Sequence, residues 1–258
     1  RGRRSAGDGM SEIVHAALVT GASTGLGRET ALTLARAGFN VALADREIGL
    51  LDEVMTHPDL AGVTAMPVEI ELLSETSIRD GVAAAIAGLG GLDTLVNNAG
   101  RTLLAQAVDV TWEEWDSVIG INLKGAYFAA ARLAEHCIAE GKPGSVVNIA
   151  STHGMTGFAG RSVYGISKGG LIQMARMLAI EWADAGIRVN AVSPGTVMTE
   201  SRQKLLKDPE HRARMQARIP TGQFPQAQEI ADAVLYLASA GPSLTGQVIA
   251  VDGGLTAE

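Results

Sequence analysis

One cysteine, Cys137, stands among the 258 residues, so no disulfide can form within the chain. It falls in a helical stretch, AARLAEHCIAE, with nothing beside it to lower a thiol pKa, and reads as an inert, half-buried side chain. Positive charge is also short. The formal net charge is -7, whereas a nucleic-acid backbone needs clustered positive charge, so DNA and RNA are excluded as partners. No apolar run approaches the roughly 18 residues that span a bilayer, which excludes a membrane-spanning helix. Aromatic residues make up only 4%, so the core must come from Val, Ile, Leu and Ala, as in an α/β protein. No set of His, Cys, Asp and Glu has metal-ligand spacing, and no bound metal is expected. Arg3 and Arg4 hint at an export signal, but no apolar segment with a cleavage site follows. Residues 1–10 read as a disordered tail ending near Met10, and the expected location is the cytoplasm.

Apolar residues and glycine are abundant: 47% of the chain is hydrophobic and 31 residues are glycine. That suits one large domain, residues 11–258, with a sizeable core and many tight turns. Short apolar runs read as strands at Val14–Thr20, Asn40–Asp45, Val63–Val68, Asp93–Asn97, Ser145–Ser151, Ile187–Ser193 and Gln247–Asp252. Helical patterns alternate with them at Gly25–Ala37, Ile48–Met55, Ser74–Ala87, Thr111–Glu140, Val163–Ala185 and Gln226–Ser239. This alternation predicts a doubly wound parallel sheet with helices on both faces, joined by right-handed crossovers. Thr196–Gln223 breaks the rhythm. It is long and basic, with Arg202, Lys204, Lys207, Arg212, Arg214 and Arg218. Ligands bind beyond the carboxyl ends of strands in such sheets, so this insert reads as a lid over the site in preference to a solvated helical pair.

The first strand runs into Thr20-Gly21-Ala22-Ser23-Thr24-Gly25-Leu26-Gly27, and a helix follows. Glycines let the backbone turn sharply and approach a pyrophosphate, while the helix N-terminus offers free N–H groups and a positive dipole end. Glycines in a turn mean little alone; their place between strand and helix gives them weight. The second strand ends in Asp45, 18 residues after Gly27. A carboxylate there accepts from both ribose hydroxyls of an adenosine and repels a 2′-phosphate, favouring NAD over NADP. Arg46 works the other way, since an arginine there can cradle the extra phosphate. A helix cap is the plain alternative for Asp45.

Ser151 ends the fifth strand, and Tyr164 and Lys168 follow at i and i+4 on one helix face. A Tyr-x-x-x-Lys pair alone is more often surface than catalytic. After a Ser-terminated strand and an upstream glycine loop it reads as a proton-transfer set. Reducing a ketone by hydride leaves an alkoxide that needs a proton. A tyrosine can supply it, and a neighbouring ammonium lowers its pKa from near 10 so that it also serves as a base. The serine hydroxyl donates to the oxygen as charge develops. Asn97-Asn98-Ala99-Gly100 ends the fourth strand, where an asparagine amide can bridge strands or bound cofactor. Asn122, polar within a helix pattern, reads on its own as a solvated face; the alternative is that it kinks its helix and orders a water beside Lys168.

On these residues the chain resembles the short-chain dehydrogenase/reductase family from about Val14 to Gly254. The family's T-G-x-x-x-G-x-G falls on Thr20 to Gly27, its N-N-A-G on Asn97 to Gly100, and its catalytic tetrad on Asn122, Ser151, Tyr164 and Lys168. The resemblance implies a Rossmann fold with seven strands in the order 3-2-1-4-5-6-7. It implies a cofactor site built from Gly21, Ser23, Thr24, Gly25, Leu26, Gly27, Asp45, Arg46, Asn98, Ala99 and Gly100, with Tyr164 and Lys168. Pro194-Gly195, the Val197 backbone and the Thr199 hydroxyl are implied at the nicotinamide. Relatives often carry Asp-Val after the third strand as an adenine contact; here Glu69-Ile70 stands in its place. A homotetramer is implied, with Thr111–Glu140 and Val163–Ala185 forming one interface. Enoyl reductases of this fold separate Tyr and Lys by more residues, and the epimerase-like branch uses a different glycine loop.

The expected reaction is the NAD-linked interconversion of a secondary alcohol and a ketone, the substrate being a polyol, sugar or hydroxy acid. A 3-oxoacyl-(acyl carrier protein) reductase is the alternative. The basic lid favours it; Asp45 and the lack of a basic residue in Trp182-Ala-Asp-Ala-Gly186 oppose it. A catalytically silent dinucleotide-binding protein on the same fold is a remote third. Candidate substrate contacts are His153, Met155 and Phe158.

Overall fold

The computed structural model describes residues 15–198 and 208–257. The expected tail at residues 1–10, the start of the first strand at Val14, Thr199, and the lid residues Arg202, Lys204 and Lys207 therefore lie outside the described residues.

Seven parallel strands form one sheet: β1 (Ala16–Thr20), β2 (Asn40–Asp45), β3 (Ala65–Glu69), β4 (Thr94–Asn97), β5 (Gly144–Ile149), β6 (Ile187–Pro194) and β7 (Val248–Val251). Their order is β3-β2-β1-β4-β5-β6-β7, as the resemblance implies. Every residue of β1, β4, β5 and β6 is buried, which explains why these strands read as continuous apolar runs instead of alternating ones. Leu18, Leu95 and Val146 face one core, beneath α3 (Glu75–Leu89), α5 (Ala126–Glu140) and α6 (Ser162–Glu181). Val19, Val41 and Val147 face the other, beneath α1 (Gly25–Arg36) and α8 (Ala227–Ser239). The sheet reverses direction of growth between β1 and β4, and a crevice opens there at the carboxyl ends of the strands.

The helix ends follow local chemistry. The Ser74 side chain accepts from Ser77 N at the start of α3, and Gly90, at φ 72°, ends it in a left-handed turn. Thr111 and Glu114 form a reciprocal capping box at the start of α4 (Trp112–Ile119).

Three expected elements differ. Thr111–Glu140 is not one helix: a wide π turn, Gly120–Gly125, separates α4 from α5. A Cβ added at Gly120 would lie 2.5 Å from Leu73 Cδ2, and one at Gly125 would lie 2.7 Å from Leu72 Cβ. Glycine thus lets this turn press against the loop after β3. Ile48–Met55 is a 3-10 turn, Ile48–Leu51, running into a single α turn, α2 (Asp52–Met55). The fifth strand stops at Ile149, so Ser151 lies two residues beyond it, extended, as the cap of the 3-10 turn Thr152–Gly154. Within the predicted lid, α7 spans Pro209–Gln216, started by the Asp208 side chain accepting from Glu210 N.

Candidate active site

The glycine loop is built for a ligand's phosphates. Gly21 and Gly25 take φ of 64° and 57°, and a Cβ on Gly27 would run into the Gly21 carbonyl and the Asn98 amide. Thr24 caps α1 without a side-chain hydrogen bond, and the first turn carries no acid. The N–H groups and the positive end of the helix therefore remain available to an anion. Asp45 closes the adjoining wall. Its Oδ2 accepts from Ser23 Oγ at 2.6 Å and its Oδ1 from Arg46 N at 2.8 Å. Arg46 is exposed, with Nε 3.4 Å from Glu47. A cleft of about 650 Å³ runs between this loop, Ile70 and the Asn98–Gly100 stretch. Ser23, Thr24, Leu26 and Ala99 line it, and a dinucleotide fits this donor set. Glu69 does not line it; Ile70 and Glu71 do. Glu69 is therefore not placed for the expected acidic contact, because its side chain is exposed at the end of β3, and the acid that lines the cleft is Glu71.

Asn98 stitches the two halves of the sheet. Its amide donates to Thr20 O at 2.9 Å and Gly21 O at 3.1 Å, while Thr20 Oγ1 accepts from Asn98 N and Ala99 N at 3.1 Å each. Asn97 turns the other way and donates to Asn148 Oδ1 at 3.0 Å.

Beyond Ile149, a cavity of about 180 Å³ gathers Ser151, Tyr164 and Lys168 with Pro194, Gly195 and Val197. Lys168 is buried, and its Nζ donates to Ile149 O at 2.6 Å while lying 5.8 Å from the centre of the Tyr164 ring. Burial pushes its pKa down from 10.5 to about 8. Ser151 Oγ accepts from His153 N at 3.2 Å and lies 3.3 Å from His153 Nδ1. The His153 ring meets Tyr164 edge-on at 5.9 Å between centres.

Asn122 is buried in the wide turn. Its Oδ1 accepts from Arg101 N at 2.7 Å, and its Nδ2 donates to Arg101 O and Ser167 Oγ, both at 2.9 Å. The amide therefore ties the turn to α6 and to the chain after β4. At Gly100 a Cβ would stand 3.3 Å from Asn122 Oδ1 and 3.5 Å from Lys168 Nζ, so glycine keeps the two close.

His153 lines the catalytic cavity, but Met155 and Phe158 do not. Both belong to an exposed loop, and Phe158 acts by packing its ring 5.1 Å from that of His153. Several contributors carry little sequence signal: the Thr20 hydroxyl, the Ile149 carbonyl, Thr102 and Ser167. Arg161 also lines the cavity. Its signal was available, since it precedes Tyr164 by only three residues, as the cap of the same helix. Among the described residues no group of three or more His, Cys, Asp or Glu could hold a metal ion. No helix among them is long and apolar enough to cross a membrane. Cys137 is fully buried, not half-buried, and burial pushes its pKa up to about 11.

A family model described as "Enoyl-(Acyl carrier protein) reductase" matches residues 21–256. The 3-oxoacyl-[acyl-carrier-protein] reductase FabG of Thermotoga maritima is 38% identical over 92% of this chain and 96% of its own. The 2-dehydro-3-deoxy-D-gluconate 5-dehydrogenase of Escherichia coli is 35% identical over 92% of this chain and 94% of its own. Among solved structures, a single-residue variant of the actinorhodin polyketide ketoreductase with NADPH superposes with a TM-score of 0.89 at 34% identity, covering 95% of this chain and 98% of that one. With the parallel sheet, the glycine loop and the Ser-Tyr-Lys cavity, these likenesses show that the chain belongs to the short-chain dehydrogenase/reductase family, NAD(P)-dependent oxidoreductases that interconvert alcohols and ketones.

Proposed function

We propose that the protein is an NAD-linked dehydrogenase of a small secondary alcohol of the polyol, sugar or hydroxy-acid kind, with Tyr164 as general acid and base. One observation carries this: Ser151, Tyr164 and Lys168 line a single cavity at the carboxyl edge of β5, next to the cleft that suits a dinucleotide. The bound dinucleotide would supply the hydride acceptor, or the hydride in the reductive direction. Ser151 Oγ donates to the substrate oxygen and fixes its position. Tyr164, as tyrosinate, takes the hydroxyl proton as the carbon gives up hydride, and as phenol returns it in reduction. Lys168 supplies the adjacent positive charge that favours tyrosinate. Asn122 holds the turn that backs both residues.

Asp45 supports NAD over NADP, because a 2′-phosphate would meet its carboxylate. The exposed faces of Trp112, Trp115 and Ile166 support a homotetramer assembled through α4, α5 and α6. Residues 196–223 are proposed as a lid, since Thr196 and Val197 already line the cavity where this segment begins. A cytoplasmic setting completes the proposal, with the nicotinamide pools there as co-substrate.

A 3-oxoacyl thioester reductase is the second reading, favoured by the FabG likeness and by the exposed Arg212 and Arg214 on α7. The test is NAD and NADP reduction over a panel of secondary alcohols at mildly alkaline pH, beside NADH- and NADPH-linked reduction of an acetoacetyl thioester. NAD-linked oxidation of alcohols is expected, with Tyr164→Phe lowering kcat by about 10²–10⁴-fold while NADH affinity is kept. Dominant NADPH-linked turnover of the thioester would reverse the ranking. Dinucleotide binding with no turnover of any kind would make the chain a silent binding protein.

A further inference from the structure

The diphosphate of a dinucleotide is anionic, and the glycine loop meets it with backbone alone. Thr20–Gly27 contains no Lys or Arg, and the N-terminal end of α1 supplies only about half a positive charge. The next residue, Arg28, gives its Nη1 to Glu53 Oε1 at 2.8 Å and does not line the cleft. Of the described residues lining the cleft, Arg46 and Arg101 are the cations. Arg46 stands beside Asp45, with Nε 3.4 Å from Glu47. Arg101 stands across β1 from it, in the chain that follows β4.

Arg101 is fixed in place from both ends. Its backbone N–H donates to Asn122 Oδ1 at 2.7 Å, and its carbonyl accepts from Asn122 Nδ2 at 2.9 Å. At the tip, its Nη1 donates to Ser117 Oγ at 2.8 Å. Ser117 belongs to α4 and lines the same cleft, so the guanidinium lies along that wall. The bond to Ser117 uses one of five N–H donors, and the residue is exposed. Glu71 also lines the cleft, but its Oε1 accepts from Leu73 N at 2.9 Å. Among the described residues no carboxylate lies at ion-pair distance from Arg101.

We propose that Arg101 supplies the side-chain cation for the cofactor's diphosphate. Its guanidinium donates from the β4 side of the crevice, while the glycine loop and α1 donate from the β1 side. Ser117 holds the arm ready, and an arm already placed loses less freedom on binding. This assignment rests on the reading of the cleft as the dinucleotide site and deepens it.

Binding measurements test this without turnover: fluorescence titration of NADH, calorimetric titration of ADP-ribose, and adenosine as a competitor of NADH. ADP-ribose keeps the diphosphate and adenosine lacks it. Arg101→Met leaves the backbone bonds to Asn122 in place. It should weaken NADH and ADP-ribose by about tenfold, as loss of a charge-assisted hydrogen bond predicts, and adenosine by less than about twofold. Arg101→Lys keeps the charge and should recover part of the loss. Raising the ionic strength from about 0.05 M to about 0.5 M should close most of the gap between the wild type and Arg101→Met for ADP-ribose. Ser117→Ala frees the arm and should weaken ADP-ribose by about threefold with adenosine unchanged. An ADP-ribose affinity of Arg101→Met within about twofold of the wild type would overturn the Arg101 assignment and leave the dinucleotide site standing. Equal losses for adenosine and ADP-ribose, or a loss that neither salt nor Arg101→Lys diminishes, would do the same, since a structural role predicts them. A wild type that binds neither NADH nor ADP-ribose would overturn the cleft as the dinucleotide site, and the assignment with it.

Discussion

Replacing Asp45 with serine should reverse the choice between NAD and NADP. The carboxylate is held at the end of β2 by Ser23 Oγ at 2.6 Å and by Arg46 N at 2.8 Å, so it presents a fixed negative charge to whatever enters the cleft. Toward the ribose of NAD it is a charged acceptor, and such hydrogen bonds contribute about 1.5–3 kcal/mol. Toward NADP it is a repulsive neighbour. At about 4 Å two unit charges in bulk water repel by about 1 kcal/mol, so a phosphate of charge about -2 is opposed by about 2 kcal/mol. Serine removes both effects and leaves the exposed Arg46 beside the phosphate position. The two add to about 4 kcal/mol, or about 10³-fold in the ratio of kcat/KM for NAD to that for NADP, at about 1.4 kcal/mol per tenfold. Steady-state kinetics at fixed substrate and about 0.15 M ionic strength read this directly, and raising the salt should shrink the repulsive share. A wild type that prefers NADP, or a variant ratio within about tenfold of the wild type, would sink the argument.

Lys168 makes stability depend on pH. In the folded protein it loses its proton near pH 8, whereas in the unfolded chain it keeps it to 10.5. The buried ammonium therefore costs stability fully below about pH 8, and the cost fades as pH rises toward 10.5. Urea unfolding should show the wild type gaining about 2 kcal/mol on Lys168→Met between pH 7 and pH 10; a difference that stays flat would refute the burial argument. Gly27→Ala drives a methyl into the Gly21 carbonyl and the Asn98 amide. It should destabilise the fold by about 1–3 kcal/mol and weaken NADH binding at least tenfold in a fluorescence titration, and near-normal affinity would count against the loop as the phosphate cradle.

The sheet was legible because its central strands are buried on both faces, so Ala16–Thr20 and Gly144–Ile149 stand out as unbroken apolar runs. The glycine loop and the Tyr164–Lys168 pair were legible for a similar reason: their chemistry depends on spacing along one element. What escaped depends on partners distant in the chain. The wide turn at Gly120–Gly125 exists because Leu72 and Leu73 press against it and Asn122 reaches Arg101 and Ser167, and no local window carries that. Met155 and Phe158 were placed correctly between Ser151 and Tyr164, but an exposed loop turns them from the cavity that His153 enters. Glu69 does not meet the cleft because it ends β3 with its side chain exposed, while Ile70 and Glu71, just beyond the strand, line it.

The stitch between Thr20 and Asn98 has a mechanical consequence. Two backbone amides share one hydroxyl, and one side-chain amide holds two carbonyls, all across the place where the sheet changes its direction of growth. The floor of the crevice is thus riveted and cannot part like a clamshell. The adenosine-side and reaction-side walls of the crevice therefore share one rigid base.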